Sequence, residues 1–127
     1  MKLITIESAN PTEWSRSLNA FQYSLFISTE WIQSLATVNR IPVYLDFMQN
    51  DQIVGKIAGL LIKEKLFINS VLYFYSGPAL MSKDHDLYDD CIRALVLYSG
   101  ENKYCRLIVR SYDHKVGTEN KVDGFFN

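Results

Sequence analysis

The stretch at 42–62, PVYLDFMQNDQIVGKIAGLLI, decides the architecture, because the period of the sequence changes where it begins. Val43, Leu45 and Phe47 alternate with Tyr44, Asp46 and Met48, the period of 2 that sends successive side chains to opposite faces of a strand. Asn50-Asp51-Gln52 reads as a tight turn, and IVGKIAGLLI returns as a long antiparallel partner. Gly55 and Gly59 stand four residues apart in that partner, where a strand glycine marks a bulge or a close backbone approach.

Upstream the period is near 3.6. Asn10 can cap a helix that has Pro11 in its first turn and Glu13 at the capping-box position, with Trp14, Leu18 and Phe21 along one side. The short alternation KLITIE precedes it as a strand. A second helix is predicted from Ser28 through STEWIQSLATVN, burying Trp31, Ile32, Leu35 and Val38 on one stripe. Ile41-Pro42 ends it, since the residue before proline is pushed out of helical space.

Downstream, VLYFY at 71–75 is a strand that runs into Ser76-Gly77-Pro78, which sustains neither strand nor helix. DHDLYDDCIRALVLYSGENK is a helix with Tyr88, Cys91, Ile92 and Leu95 on one side and Gly100 as its stop, and YCRLIVR is a further strand. The predicted order is strand, two helices, three antiparallel strands, helix, strand, which puts a mixed, mainly antiparallel sheet between helices in an α/β (α+β) fold.

The 127 residues fit one domain that buries its own core, with 48% hydrophobic and 21% charged residues and no polar tract. Thirteen basic and 14 acidic residues are scattered to a net charge of −1, leaving no electrostatic footprint for DNA or an anionic membrane. The start MKLITIES has no signal-peptide core, and the expected compartment is the cytoplasm. Cys91 and Cys105 read as reduced thiols, and with only His85 and His114 beside them no metal-ligand spacing can be assembled.

Several residues could serve a ligand, each with a plainer reading beside it. Tyr73 and Tyr75 share one side of their strand and could stack on or hydrogen-bond a substrate, or be half-buried aromatics with wet hydroxyls. Ser76 and Gly77 could cradle a phosphate, but Pro78 removes a donor and the acidic start of the next helix repels an anion, so a rigid strand exit is favoured. Arg110, with Arg106 on the same face, could take a carboxylate or phosphate, or be a solubilising charge. Asp113 beside His114 follows a strand end where functional loops lie. Trp31 reads as a helix anchor before a ligand platform.

Together LFISTEWIQSL, the 42–62 hairpin, YFYSGPAL and YCRLIVR resemble the amino-terminal GNAT-like domain of the FemABX family, over roughly residues 3 to 112. The resemblance implies transfer of an acyl or aminoacyl group to an amine, with a peptidoglycan precursor as acceptor. No cofactor is evident from the residues themselves; an acyl-CoA or aminoacyl-tRNA donor is implied by the resemblance alone. It further implies a partial GNAT-like domain at 1–114, incomplete at its C-terminus, then a polar tail at 115–127. The partner it implies is a second GNAT-like domain, or another copy of the chain pairing along an exposed YCRLIVR edge. Three departures stand out. SGPALMSKDHD replaces the Arg/Gln-x-x-Gly-x-Gly/Ala loop of coenzyme A-binding members, Thr29 stands where a lysine precedes the tryptophan by two, and SYDH replaces Asp-Pro. They leave open a non-catalytic binding or dimerisation module and a truncated fragment.

Overall fold

In the computed structural model the alternation in the hairpin becomes β2 (Arg40–Gln49), which turns into β3 (Gln52–Lys63) through Asn50 and Asp51. Both turn residues have positive φ, 52° and 63°, the conformation that a two-residue hairpin loop with the right twist demands and that Asn and Asp tolerate. The structure describes residues 3–63, 70–111 and 120–125, with Ser111 and Asn120–Phe125 described through their backbone.

Around this hairpin lie β1 (Ile4–Glu7), α1 (Pro11–Leu18), a 3₁₀ turn (Leu25–Ile27), α2 (Thr29–Ser34), β4 (Ser70–Phe74), β5 (Ala79–Leu80), α3 (His85–Glu101), β6 (Arg106–Ser111) and β7 (Asn120–Phe125). The sheet runs β1-β2-β3-β4-β6-β7, with β5 also paired to β3. Every described pairing is antiparallel except β4 with β6. α3 is the crossover that this parallel pair requires.

Strand register assigns the two faces. Leu45, Ile57, Leu72 and Leu107 fall on one, and all four are buried. That face lies under α3, whose Tyr98 hydroxyl donates to Glu7 Oε1 at 2.7 Å. Tyr44, Asp46, Lys56 and Tyr73 fall on the other face. α1 covers part of it: Trp14 packs 5.1 Å from the Tyr44 ring and donates its indole N–H to the Leu45 carbonyl at 3.1 Å. Capping is local and sequence-driven. Asn10 Oδ1 accepts from the Thr12 and Glu13 amides, and Ser28 Oγ accepts from the Trp31 amide.

Four expectations are corrected. α2 ends at Ser34, so Val38 lies in a turn 92% exposed instead of on a buried stripe. Gly100 does not stop α3, which continues to Glu101 and closes through Asn102 and Lys103, the latter with φ 59°. β6 is not an open edge, since β7 pairs with it from Asn120 to Phe125. The polar tail expected from residue 115 is therefore a strand at Asn120–Phe125; the unpaired N–H and C=O row of β6 draws a partner whatever the local composition.

Cys91 is fully buried in α3, and burial, helped by the charge of Asp90, pushes its thiol up to about 12 from 9.0. A raised acid pKa stabilises the fold below the unfolded value, so this contribution is present below pH 9.0 and is lost as pH rises from there towards about 12. Iodoacetamide at pH 8 should therefore modify Cys91 only as fast as the chain unfolds. Labelling of Cys91 itself, told apart from the partly exposed Cys105 by peptide mass mapping, at the rate of a free thiol would contradict this.

Candidate substrate site at the open end of the parallel strand pair

β4 and β6 run side by side from the Val71/Arg106 pair to the Phe74/Val109 pair, and there they part. β6 continues to Ser111, while the chain after Phe74 leaves the ladder. It returns as β5. Leu60 faces Tyr73 and Lys56 faces Ala79, so four steps along β3 are matched by six along the other strand, an excess of two residues. Tyr75-Ser76-Gly77-Pro78 is thus a wide bulge at the carboxyl ends of the parallel pair. Bulges re-aim side chains, and the carboxyl ends of parallel strands are where open sheets bind ligands.

Four of the residues singled out in the sequence meet at this corner. Tyr73 is half-buried on the face opposite α3, and Arg110, two residues beyond its register partner Ile108, donates from Nη1 to the Tyr73 hydroxyl at 2.9 Å. The Tyr75 ring sits 4.7 Å from that of Tyr73. Trp31, sent over from α2, stands nearly perpendicular to Tyr75 at 88° with centroids 6.1 Å apart. Ser28 fixes the start of α2 and so the direction of Trp31. The indole Nε1 of Trp31 is buried and has no hydrogen-bond partner among the described residues.

Ser76 and Gly77 occupy the bulge itself. Ser76 is buried, and Gly77 lies against the ring of Tyr88 from α3, where a Cβ would come within 2.8 Å of the tyrosine hydroxyl. Asp113 and its neighbour His114 lie outside the described residues. Sequence reasoning missed Phe26, whose ring packs edge-on against Trp31 at 5.1 Å, and Arg40, whose charge acts on Tyr75. Phe26 sits five residues before Trp31 in an irregular stretch, where no period announces a partner.

Electrostatics make the corner a binding surface more than a source of base. Burial raises the Tyr75 pKa above its ordinary 10.0, helped by Tyr73, and the positive charges of Arg40 and Arg110 only partly oppose this. The hydroxyl keeps its proton at neutral pH and offers a donor and an acceptor. A separate groove of about 400 Å³ between α1 and α2 is lined by Ser15, Arg16, Thr29, Glu30 and Gln33. Its lining is polar and includes none of the corner residues, unlike the mostly apolar clefts that hold small molecules.

No protein-family model matches the sequence. Nor does any curated protein. Among solved structures the chain is similar to an N-acetyltransferase from Staphylococcus aureus Mu50, at 14% identity and a TM-score of 0.52, covering 87% of this chain and 72% of that one. That likeness shows the fold: a mixed, mainly antiparallel GNAT-like sheet flanked by helices. Among the described residues no helix is long and apolar enough to cross a membrane.

Proposed function

We propose that this chain takes part in acyl transfer to an amine, holding the acceptor at the Trp31–Tyr73–Tyr75–Arg110 corner, with a second GNAT-like domain or another subunit completing the donor side. The observation that carries the reading is the coincidence of this aromatic corner with a bulge at the carboxyl ends of the parallel pair. Acyl transfer needs an amine nitrogen placed against a carbonyl carbon. The C–N bond forms, the bond from carbonyl carbon to the donor's sulfur or oxygen breaks, and the amine loses a proton. Ser76 and Gly77 lie in the bulge, outside the β3–β4 and β3–β5 pairs, and in this reading their backbone N–H groups are the donors proposed for the oxygen that gains charge. Tyr75, protonated, orients the acceptor; the proton acceptor belongs to the donor side.

The start of α3 bears on the donor. Asp84 caps the helix and Asp86 follows in its first turn, setting negative charge where a pyrophosphate would need the positive helix end. This counts against coenzyme A seated at this helix start; an aminoacyl-tRNA-type donor and a FemABX-like role on a cell-wall precursor are what the sequence resemblance adds to the proposal. The same acidic start favours, as the second reading, an acceptor-binding module without chemistry of its own.

Thermal shift tests the proposal. A UDP-linked peptidoglycan precursor at about 100 times its Kd should stabilise the fold by about 2.7 kcal/mol. Tyr75→Ala should abolish that shift, and acetyl-coenzyme A should give none. Absence of any shift with the precursor would overturn the acceptor site. Binding without turnover in the presence of donor and partner domain would select the non-catalytic reading.

A further inference from the structure

The groove between α1 and α2 lacks the apolar lining of an ordinary ligand cleft, and its charges and hydroxyls narrow what could enter. Ser15, Arg16 and Asn19 form one stripe of α1 and its C-cap, while Thr29, Glu30 and Gln33 form the stripe of α2 across from it. One wall carries a positive charge and the other a negative one. Yet the ion pairs among the described residues are Lys56–Asp46 and Arg93–Asp90, so Arg16 and Glu30 pair neither with each other nor with another described charge. Thr29, 7% exposed, places its hydroxyl 3.3 Å from Ser15 Oγ and 3.3 Å from Glu30 Oε1, and its single proton goes to one of them at a time. The hydroxyl pair can therefore present a ligand with either a donor or an acceptor.

We propose that this groove binds a small amino-acid zwitterion, Arg16 taking the carboxylate, Glu30 the ammonium, and the Ser15–Thr29 hydroxyl pair adding a hydrogen bond. None of these residues belongs to the acceptor corner, and the site stands apart from that reading. A phosphate would meet Glu30 and a polyamine would meet Arg16, whereas a molecule carrying both signs a few bonds apart leaves neither side chain facing its own charge. A guanidinium fork matches a carboxylate through two parallel N–H···O bonds. An ammonium has three donors, which the Glu30 carboxylate and the Asn19 and Gln33 carbonyl oxygens can accept. No aromatic ring is among the described lining residues to stack on a sugar. At about 400 Å³ the groove falls near the lower end of the range of about 300–1,000 Å³ for small-molecule sites, which suits a single amino acid over a peptide.

Amide chemical-shift titration of the full chain at about pH 6, where an α-ammonium is protonated, tests this with serine, serinamide and N-acetylserine. The three share a side chain and differ in charge. Serine should shift the backbone amides of Ser15, Arg16, Thr29 and Glu30 with a Kd of about 1 mM, and each singly charged probe should bind at least about tenfold more weakly. Arg16→Glu should invert the order and make the cationic serinamide the tightest ligand. Glu30→Gln should leave serine and N-acetylserine equal. Both side chains are exposed, so neither variant removes a core contact. Equal affinity for the three probes, an unchanged order in Arg16→Glu, or shifts that spare those four amides would overturn the site. So would a serine Kd weaker than about 10 mM. Because the Trp31–Tyr73–Tyr75–Arg110 corner takes no part, any of these results leaves the acceptor reading standing.

Discussion

Asp46→Ala is expected to cost about 3–5 kcal/mol, the penalty for leaving a buried charge without its partner. Lys56 lies in the middle of β3, directly opposite Asp46 on β2, and is completely buried. Its ammonium donates to Asp46 Oδ1 at 2.6 Å and to Ser17 Oγ at 2.7 Å, and stands 4.8 Å from the centre of the Trp14 ring. Removing the carboxylate leaves one hydroxyl and one aromatic face to compensate an ammonium cut off from water. Against a typical total stability of about 5–15 kcal/mol the loss is about a fifth or more. Lys56→Met should cost less, because Asp46, at 17% side-chain exposure, can be hydrated once its partner is gone. The double variant Asp46→Leu, Lys56→Met should return close to the parent, since an apolar pair of similar volume substitutes for a buried ion pair with little loss. Urea titration of the four proteins gives the comparison. A loss below about 1 kcal/mol in Asp46→Ala would mean that water reaches Lys56 and that the pair behaves as a surface one.

That pair shows what the alternation could and could not reveal. The hairpin, its turn and the antiparallel return were legible from the period of 2, and the caps at Asn10 and Ser28 from single residues. Lys56 was not, because one lysine in an apolar run reads as noise until the register sets it opposite Asp46. β7 was invisible for a related reason. Its sequence, NKVDGF, is polar and glycine-containing, and the free edge of β6, a tertiary fact, makes it a strand. Val38 failed in the other direction: its spacing fits the α2 stripe, but the helix had already ended.

The corner was half legible. Tyr73 and Tyr75 share a face by simple alternation, and Arg110 shares one with Arg106 for the same reason. What no period encodes is that α3 returns the chain so that β6 lies parallel to β4, bringing Arg110 to the Tyr73 hydroxyl across 37 residues of sequence. Trp31 arrives from a third element, and its contact with Tyr75 depends on where the Ser28 cap starts a six-residue helix. The landmark Ser76-Gly77-Pro78 was visible as an interruption; its bulge of two residues appears only when the β3 register is read on both sides of it.

Gly59→Ala should be the most damaging added methyl among the described glycines, about 3 kcal/mol or more, at the upper end of overpacking costs. Gly59 faces Val43 on one side, and on the other a Cβ would run into the Tyr73 carbonyl oxygen and the Phe74 ring. The carbonyl belongs to a strand held in the ladder, and Phe74 is fully buried, so neither can yield without moving β4. Since β4 also carries Tyr73 into the acceptor corner, the substitution should disturb that site as well as stability. Two other glycines calibrate the effect. At Gly55 the nearest atoms are farther off, 3.2 Å on the Leu80 and Phe47 side chains and 3.3 Å at the Ala79 carbonyl oxygen, so a few tenths of an ångström of adjustment suffices and Gly55→Ala should cost about 1 kcal/mol, at the low end of the same range. At Gly100 a Cβ meets nothing within 4 Å, and the residue is helical, so Gly100→Ala should stabilise by about 0.5–1 kcal/mol through the restricted unfolded chain. The ordering across the three is what thermal or urea unfolding must reproduce. If Gly59→Ala proves as mild as Gly55→Ala, then β3 and β4 can separate at little cost, and the close approach that holds Tyr73 in place would not be the rigid contact on which the corner depends.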